Sequence, residues 1–234
     1  MAYMQSLLNF LDDRSNISHM ETLTQPVNPV RRRGRPPKNR QSTAETRDLL
    51  LRAGLEVLTE KGFATAGIDG ILRQAGVPKG SFYHYFKNKE DFGLALIDYY
   101  GRFFAHKIDQ HLLAPELSPL ERIRGFIDDA AEGMARYEFR RGCLIGNLGQ
   151  EMAALPESFR SKLQETFEDW QSRFAVCLDE AKRHGELAPD ADTAQLASFF
   201  WIGWEGAVLR AKLEQTTAPL TVFAQYYFAG LPTG

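Results

Sequence analysis

The segment over residues 68–89, IDGILRQAGVPKGSFYHYFKNK, most restricts what this chain can fold into. Apolar residues recur at helical spacing over Ile68–Ala75, which predicts a short helix with one apolar face. Gly76 follows at the point where a left-handed C-terminal cap is needed, and Pro78 ends the turn. The segment therefore predicts two short helices joined by a tight turn.

The second of these helices crowds hydrogen-bonding groups into less than two turns. Phe82 and Phe86 alternate with those groups and are expected to form its buried side. The other positions are Lys79, Gly80, Ser81, Tyr83, His84 and Tyr85. A DNA major groove requires this division from a helix that reads it. The alternative is an αα-hairpin inside a bundle, with half-buried tyrosines; the polar cluster and the nearby lysines favour DNA.

Charge is divided unevenly along the chain. The formal net charge is −2, but residues 31–89 hold 13 Lys/Arg against 5 Asp/Glu, a net of +8. Residues 90–234 hold 14 against 22, a net of −8, and residues 1–30 hold 1 against 3. Basic charge confined to one quarter of the chain predicts a polyanion-binding module on a neutral-to-acidic body.

Composition indicates a globular protein of one large or two modest domains. No apolar run approaches the length of a membrane span, and the N-terminus lacks a secretory signal. Met1 and Met20 are both possible starts. Two cysteines, Cys143 and Cys177, argue against a disulfide scaffold and fit a reducing compartment. We therefore expect a cytoplasmic, nucleoid-associated protein that makes no membrane contact.

Helical periodicity and few strand signals predict an all-α fold of about nine or ten helices. The chain is expected to divide into a disordered leader (1–30), a basic arm (31–42), a helical DNA-binding domain (43–89) and a larger helical domain (90–234). The predicted helices outside residues 68–89 lie at about 43–61, 89–112, 118–137, from 143, 157–184, 192–214 and 219–228.

The basic arm carries the sequence RRRGRPPKNR, which cannot bury apolar surface and is expected to be extended. Its core, Arg33-Gly34-Arg35-Pro36, has the pattern of an AT-hook. Glycine lets the backbone approach the minor-groove floor, and Arg33 and Arg35 would enter the negative potential of an A·T-rich groove. The alternative is a basic tail that adds only charge. Its position before the DNA-binding helices favours minor-groove insertion.

The residues GFATAGIDGILRQAGVPKGSFYHYFKNKEDF resemble the helix-turn-helix of the TetR/AcrR family of bacterial repressors, over residues 43–94. The resemblance implies a three-helix DNA-binding domain on a helical, dimerising and ligand-binding body, and a palindromic operator in double-stranded DNA. It implies that Lys79 and Gly80 approach base edges, that Ser81, Tyr83 and Tyr85 contact phosphates or adjacent bases, and that Lys89 lies against the DNA backbone. His84 either faces DNA or packs within the domain.

The second helix of the motif departs from the family pattern. The family usually opens this helix with Thr or Ser and then a basic residue, whereas Gly67 and Asp69 stand here. Glycine can still begin a helix, but a phosphate contact is lost and an acid comes near the DNA surface. Thr65 is a possible substitute for the missing hydroxyl.

The segments RRGCLIGNLGQEM and WIGWEGAVLRAKLE resemble the AcuR/NemR-like branch of this family, whose members respond to acrylate-type or other electrophilic compounds. Cys143 is then a candidate sensor, since Arg140, Arg141 and a helix start are expected to lower its pKa. The alternative is a small buried apolar residue, which is also our expectation for Cys177. Lys212 is a possible partner of a modified cysteine or of an acidic ligand.

Other candidates for the effector site follow from helix position alone: Tyr100, Phe104, Phe126, Met134, Asn147, Glu151, Trp201 and Trp204. The resemblance also implies that the last two long helices form a four-helix bundle across a two-fold axis. Gly203, Gly206 and Ala207 would permit close helix approach there.

The resemblance therefore implies a homodimeric repressor that a small-molecule effector releases from its operator, with an acrylate-type compound, an acyl-CoA or another electrophile as that effector. Movement of the fourth helix would change the separation of the two recognition helices. The alternative is an effector-independent architectural protein of A·T-rich DNA. No catalytic set, metal cluster or cofactor motif is visible, so we expect no enzyme.

Overall fold

A computed structural model describes residues 43–233, and within this range the chain is all-helical, as predicted. The leader and the arm, including Arg33 and Arg35, lie outside the described residues. The helices are α1 (Thr43–Lys61), α2 (Ile68–Ala75), α3 (Lys79–Tyr85), α4 (Lys89–Leu112), α5 (Pro119–Arg136), α6 (Leu144–Gln150), α7 (Ser158–Arg183), α8 (Thr193–Glu214) and α9 (Ala218–Ala229), with a 3₁₀ turn at Met152–Ala154.

The first three helices form a head around phenylalanine side chains. Phe82 and Phe86 of α3 are buried, and their rings lie 5.3 and 4.9 Å from the ring of Phe92 at the start of α4. Gly76 ends α2 in the left-handed conformation, and its N–H donates to the carbonyl of Arg73. A residue with a side chain is strained in this conformation, so the glycine fixes the angle of the turn into α3.

Local capping sets the starts of the two helices that follow the head. The side chain of Asn88 accepts a hydrogen bond from the backbone N–H of Asp91 at the start of α4. Ser118 and Glu121 form a capping box at the start of α5. Both caps are local in sequence, and the predicted starts of these helices are confirmed.

The body, α4 to α9, is built around an aromatic cluster. Trp201 of α8 is its centre, with its ring 5.1 Å from that of Trp170 and 5.3 Å from that of Phe174. The other members include Tyr100, Phe104, Phe126, Phe200 and Trp204. Burial of so many large rings supplies much of the apolar surface that holds α4, α5, α7 and α8 together.

Helix α4 joins the head to the body through a glycine. Gly93 faces Phe63, which lies between α1 and α2, and Phe159 of α7. The rings of Phe63 and Phe159 pack edge to face at 5.0 Å. A methyl group on Gly93 would lie 2.4 Å from the Phe159 ring and 2.7 Å from the Phe63 ring, so only glycine fits without movement.

We therefore expect Gly93→Ala to destabilise the protein by about 1–3 kcal/mol, the usual cost of overpacking a close contact. Chemical denaturation followed by circular dichroism measures this change. Gly149→Ala is the control, since a methyl group there meets nothing within 4 Å and should raise stability by up to about 1 kcal/mol. A Gly93→Ala protein as stable as the parent would contradict the packing argument.

Candidate DNA-binding surface and effector site

Helix α3 presents the predicted polar groups on its outer side. Lys79, Gly80, Tyr83 and His84 are exposed, and Ser81 and Tyr85 are half-buried. Phe82 and Phe86 are buried, which confirms the predicted inner side of the helix. The ring of His84 packs edge to face on that of Tyr85 at 5.0 Å but stays on the exposed side. An outward row of donors and acceptors is available to a groove.

The acid that departs from the family pattern contacts the first residue of α3. Asp69 Oδ1 lies 2.9 Å from Lys79 Nζ, and both side chains are about two-thirds exposed, at 66% and 65%. The hydrogen bond that Lys79 donates to Asp69 raises the pKa of Lys79 above its usual value. The lysine expected at base edges is therefore held by a neighbouring carboxylate.

Lys89 is half-buried and contacts the turn that precedes α2. Its Nζ donates to the carbonyl oxygen of Phe63 at 2.6 Å and lies 4.5 Å from the centre of the Phe63 ring. Burial lowers its pKa. The lysine thus ties α4 to the turn before α2, and its contact with the DNA backbone stays a prediction.

Thr65, the possible substitute for the hydroxyl that is missing at the start of α2, contacts the end of α1. Thr65 donates to the carbonyl of Lys61 at the end of α1. Gly67 precedes α2 with no side-chain cap, and a methyl group on it would meet nothing within 4 Å. The start of α2 is thus uncapped and has room for a larger residue.

The turn between α1 and α2 is held by a carboxylate from the body. Glu151 accepts hydrogen bonds from the backbone N–H groups of Phe63 (3.1 Å) and Ala64 (2.9 Å). Gly62 has a φ of +78°, and a methyl group on it would lie 2.4 Å from Glu151 Oε1. Glycine is thus required here both by its backbone conformation and by the approach of the carboxylate.

Three more body side chains reach the end of α1. Asn147 Nδ2 and Lys212 Nζ each donate to the carbonyl of Thr59 at 3.4 Å. Arg141 pairs with Glu60 at 2.9 Å. We call these contacts, with those of Glu151 to the turn, the joint.

Asn147, Glu151 and Lys212 were predicted to line the effector site, but the structure places all three in the joint. Burial lowers the pKa of Lys212, while the nearby Glu151 and Glu60 raise it. The carbonyl of Thr59 gives the ammonium a further partner. Helix position alone did not reveal that these residues contact the head.

The aromatic candidates for the effector site lie together in the core of the body. Tyr100, Phe104, Trp201 and Trp204 are all buried, as are Phe126 and Met134. Their rings contact one another, with Tyr100 and Phe104 stacked at 5.6 Å and Phe104 and Phe126 edge to face at 5.9 Å. The indole N–H of Trp201 is buried and has no hydrogen-bond partner among the described residues. In this conformation these residues therefore form a packed core.

Cys143 is the N-cap residue of α6 and is only 7% exposed. The backbone N–H of Gly146 donates to its sulfur at 3.5 Å. Burial, followed by the charge of Glu205, raises the thiol pKa well above its usual value. The predicted lowering of this pKa is therefore wrong. The two arginines expected to cause it are paired elsewhere, Arg140 with Glu138 and Arg141 with Glu60.

Glu205 is a member of this site that the sequence analysis missed. One of its carboxylate oxygens lies so close to Gly146 that a methyl group there would be 1.8 Å away. Burial raises the pKa of Glu205 to about 7, and the thiol of Cys143 acts in the opposite direction as a hydrogen-bond donor. The available signal was a single acid among the apolar residues of α8, in WIGWEGAV.

Cys177 is buried on α7 and donates to the carbonyl of Pro119 at 3.4 Å. Burial raises its pKa to about 12, in keeping with the expected structural residue. Over residues 43–233 no group of three or more His, Cys, Asp or Glu side chains is arranged to hold a metal ion. None of the described helices is long and apolar enough to cross a membrane.

Comparison with known proteins gives matches over the head and the body. Residues 50–96 match "Bacterial regulatory proteins, tetR family", and residues 119–227 match "Tetracyclin repressor-like, C-terminal domain". The transcriptional regulator AcuR of Cereibacter sphaeroides is 55% identical over 196 residues, which cover 84% of this chain and 89% of AcuR. The chain belongs to the TetR family.

Solved structures support this assignment. The regulatory protein TetR from Rhodobacter sphaeroides has a TM-score of 0.78 and 55% identity, over 80% of this chain and 98% of that chain. The reduced form of Escherichia coli NemR, a transcriptional repressor, has a TM-score of 0.73 and 27% identity, over 80% and 98%. The protein is thus a TetR-family transcriptional regulator of the AcuR/NemR-like branch, with a helix-turn-helix formed by α2 and α3.

The ion pair between Asp69 and Lys79 is predicted to weaken DNA binding by the TetR-family head. Asp69→Asn should release Lys79 for phosphate contact and tighten binding to a random-sequence DNA duplex, on the order of two- to tenfold. The slope of log K against log salt should steepen by about 0.9, the equivalent of one further phosphate contact. Fluorescence anisotropy at several salt concentrations measures both quantities.

Glu56→Gln is the matched control, because it changes the charge of the head by the same amount while Glu56 bonds the uncharged Gln74. Combining Asp69→Asn with Lys79→Ala should abolish the gain. If Asp69→Asn and Glu56→Gln tighten DNA binding equally, net charge alone accounts for the effect. The proposed restraint of Lys79 by Asp69 is then refuted.

Proposed function

We propose that this protein is a homodimeric repressor that leaves its operator when a small electrophilic compound acts at Cys143. The observation that carries the proposal is the position of α6, which has the buried thiol at its first end and Glu151, bonded to the head, at its second. A change at the thiol therefore has a short covalent path to the DNA-binding head. The protein would act in the cytoplasm, associated with the nucleoid.

The DNA-binding side of the proposal combines the exposed face of α3 with the basic arm. Lys79, Gly80 and Tyr83 are exposed where the family reads a major groove. We infer that Arg33 and Arg35 add minor-groove contacts to A·T-rich flanks, since the uncapped and acidic start of α2 provides less phosphate contact than the family pattern. A two-fold dimer would then recognise a palindromic operator.

Exposed apolar side chains support a dimer through the last helices. Six of the nine large exposed apolar residues in the described range lie on α7, α8 and α9: Val176, Phe199, Ile202, Leu213, Val222 and Tyr226. Such a concentration is characteristic of an interaction surface. Gly206 is open to solvent and permits close approach, whereas Gly203 faces Phe223 of the same chain, 2.4 Å from a methyl group placed on it.

The packing around the candidate effector site favours a covalent reaction at Cys143 over reversible binding of a ligand. The aromatic residues predicted to line a pocket are packed against one another, whereas Cys143 lies at the edge of the core beside the joint. The solved NemR relative is described as a reduced form, which fits a redox-sensitive or electrophile-sensitive thiol in this branch. We propose acrylate-type compounds and related electron-poor alkenes as effectors, with acyl-CoA thioesters as the second class.

The proposed transmission runs from α6 to the head. Modification of Cys143 would displace α6, so that Glu151 no longer accepts the hydrogen bonds of the turn between α1 and α2 and Asn147 no longer donates to Thr59 of α1. Helix α4 would follow, because Lys89 is bonded to the same turn. The separation of the two recognition helices would then depart from one helical turn of DNA, about 34–36 Å.

The direct test is release of DNA by an electrophile. Acrylate, N-ethylmaleimide and an acyl-CoA are titrated into the protein bound to the duplex upstream of its own gene, with gel-shift and mass-spectrometric readout. We expect at least one compound to weaken binding by about tenfold or more, a coupling of about 1.4 kcal/mol. Cys143→Ser should abolish the response to covalent compounds. Cys177→Ser, the matched control, should retain it.

Release that survives Cys143→Ser would indicate reversible binding and contradict the thiol proposal. Indifference to every compound and to thiol oxidants would favour the architectural alternative.

The proposed dimer makes a separate prediction. Ile202 is 71% exposed on α8, and Ile202→Arg should convert the dimer to a monomer in sedimentation velocity without loss of helix content. Leu113→Arg is the control, since Leu113 is 65% exposed at the end of α4, away from the proposed interface. A dimer that survives Ile202→Arg would exclude the α8 surface.

A further inference from the structure

The two arginines that precede Cys143 are paired with carboxylates and do not stabilise a thiolate at this sulfur. A reactive cysteine normally needs a cation beside it, because the thiolate is the nucleophile. Here the nearby guanidinium groups of Arg140 and Arg141 are paired with Glu138 and Glu60, and burial disfavours a charged sulfur. A standing thiolate is therefore not available at neutral pH, and any reaction of this sulfur needs a group that removes its proton.

Glu205 is placed to be that group. Its carboxylate packs against Gly146, whose backbone N–H donates to the sulfur of Cys143 at 3.5 Å. The thiol and the carboxylate thus meet at the same residue of α6. The Oε1 atom of Glu205 is buried and makes no well-formed hydrogen bond with any described residue, so it has capacity for a proton.

The other charged groups around the pair are occupied. Lys212 lies on α8 two turns beyond Glu205, and its ammonium bonds the Thr59 carbonyl. Glu151, at the far end of α6, bonds the turn of the head. Among the described titratable groups, Glu205 is the one that shifts the pKa of Cys143, and Cys143 is the one that shifts the pKa of Glu205. The two groups therefore form an isolated acid–base pair.

We infer that Glu205 is the proton acceptor that activates Cys143 toward electron-poor alkenes. As the sulfur forms its bond to the terminal carbon of the alkene, the thiol proton passes to the carboxylate and the alkene electron pair shifts to the adjacent carbon. Glu205 then returns the proton to that carbon. The net change is addition of S–H across C=C, with no oxidant or reductant, and Glu205 ends as it began. This inference rests on the proposed thiol sensor.

The direction in which Glu205→Gln changes the alkylation rate depends on whether Glu205 accepts the proton or acts only through its charge. A negative carboxylate beside the sulfur disfavours the thiolate, so its removal by Glu205→Gln should speed alkylation if repulsion were its only action. If Glu205 takes the proton, the same substitution should slow alkylation, since a positioned base contributes on the order of 10²–10⁴-fold. The sign of the change separates the two cases.

The experiment measures the rate at which acrylamide modifies Cys143 in the full chain, by mass spectrometry of the peptide that contains it. Acrylamide is a small probe, which suits a cysteine residue that is only 7% exposed. We expect Glu205→Gln to slow this rate at least about tenfold at pH 7.5. Glu214→Gln is the matched control, because Glu214 lies on the same helix and pairs with Arg210 at the protein surface.

The pH profile gives a second readout. Burial raises the pKa of Glu205 to about 7, so the carboxylate form, which accepts the proton, accumulates as pH rises through that value. The parent rate should therefore increase with an inflection near pH 7. Glu205→Gln should lack this inflection and increase only with ionisation of the thiol at alkaline pH.

Gly146→Ala tests geometry without removing the carboxylate. Its methyl group would lie 1.8 Å from Glu205 Oε2, so Glu205 must move away. We expect slow alkylation and loss of the neutral inflection, while Gly149→Ala on the same helix retains both. Thermal unfolding verifies that each variant is folded.

Faster or unchanged alkylation in folded Glu205→Gln protein would overturn the inference. These outcomes are distinct from failure of the proposed function, because alkylation is measured without DNA. Glu205-dependent modification that leaves DNA bound would refute the regulatory proposal and retain the proton acceptor.

Discussion

The hydrogen bonds that Glu151 accepts from the backbone of Phe63 and Ala64 determine how the head sits on the body. Helix ends and turns leave backbone donors and acceptors without local partners, and in folded proteins these are satisfied elsewhere. Here the body supplies the partners. Glu151 accepts hydrogen bonds from the backbone N–H groups of the turn, while Lys89 donates to the carbonyl of Phe63. Separation of head and body would leave these polar groups without their partners, so the joint stabilises the contact between head and body.

This arrangement supports the proposed coupling through a short helix. Helix α6 spans only Leu144–Gln150, yet its two ends belong to different sites. Its first end holds the sulfur of Cys143 beside Glu205 of α8, and its second holds the carboxylate in the joint. A displacement at one end of so short a helix is expected to move the other end. This is the connection that the proposed coupling between the thiol and the head requires.

The sequence predicted the helices well because their limits are set locally. Asn88 and the pair of Ser118 and Glu121 cap helices through residues three positions away, and Gly76 ends a helix by its own conformation. The inner side of α3 was equally readable from the alternation of phenylalanines with polar groups.

The chemical environment of the candidate site was not readable in the same way, since it depends on contacts across the fold. The partners of Glu151 lie 88 and 87 positions away, and that of Lys89 lies 26 positions away. The prediction of a lowered thiol pKa failed for the same reason: Arg140 and Arg141 adjoin Cys143 in sequence, whereas its carboxylate neighbour comes from α8. Adjacency in the chain predicted positively charged arginines beside the sulfur, whereas packing places the carboxyl group of Glu205 there.

The tight packing of the aromatic cluster in the body limits which effectors the protein can bind. A ligand that entered the aromatic cluster would have to part contacts such as those of Trp201 with Trp170 and Phe174, each worth about 0.5–1.5 kcal/mol beyond the area it buries. A small reversible ligand has little binding free energy to offset several such losses. A covalent bond to Cys143 does not share this limit, because bond formation supplies its own free energy and the sulfur lies beside the joint instead of inside the cluster. The packing of the body and the position of the sulfur thus favour a small reactive effector over a large, tightly bound one.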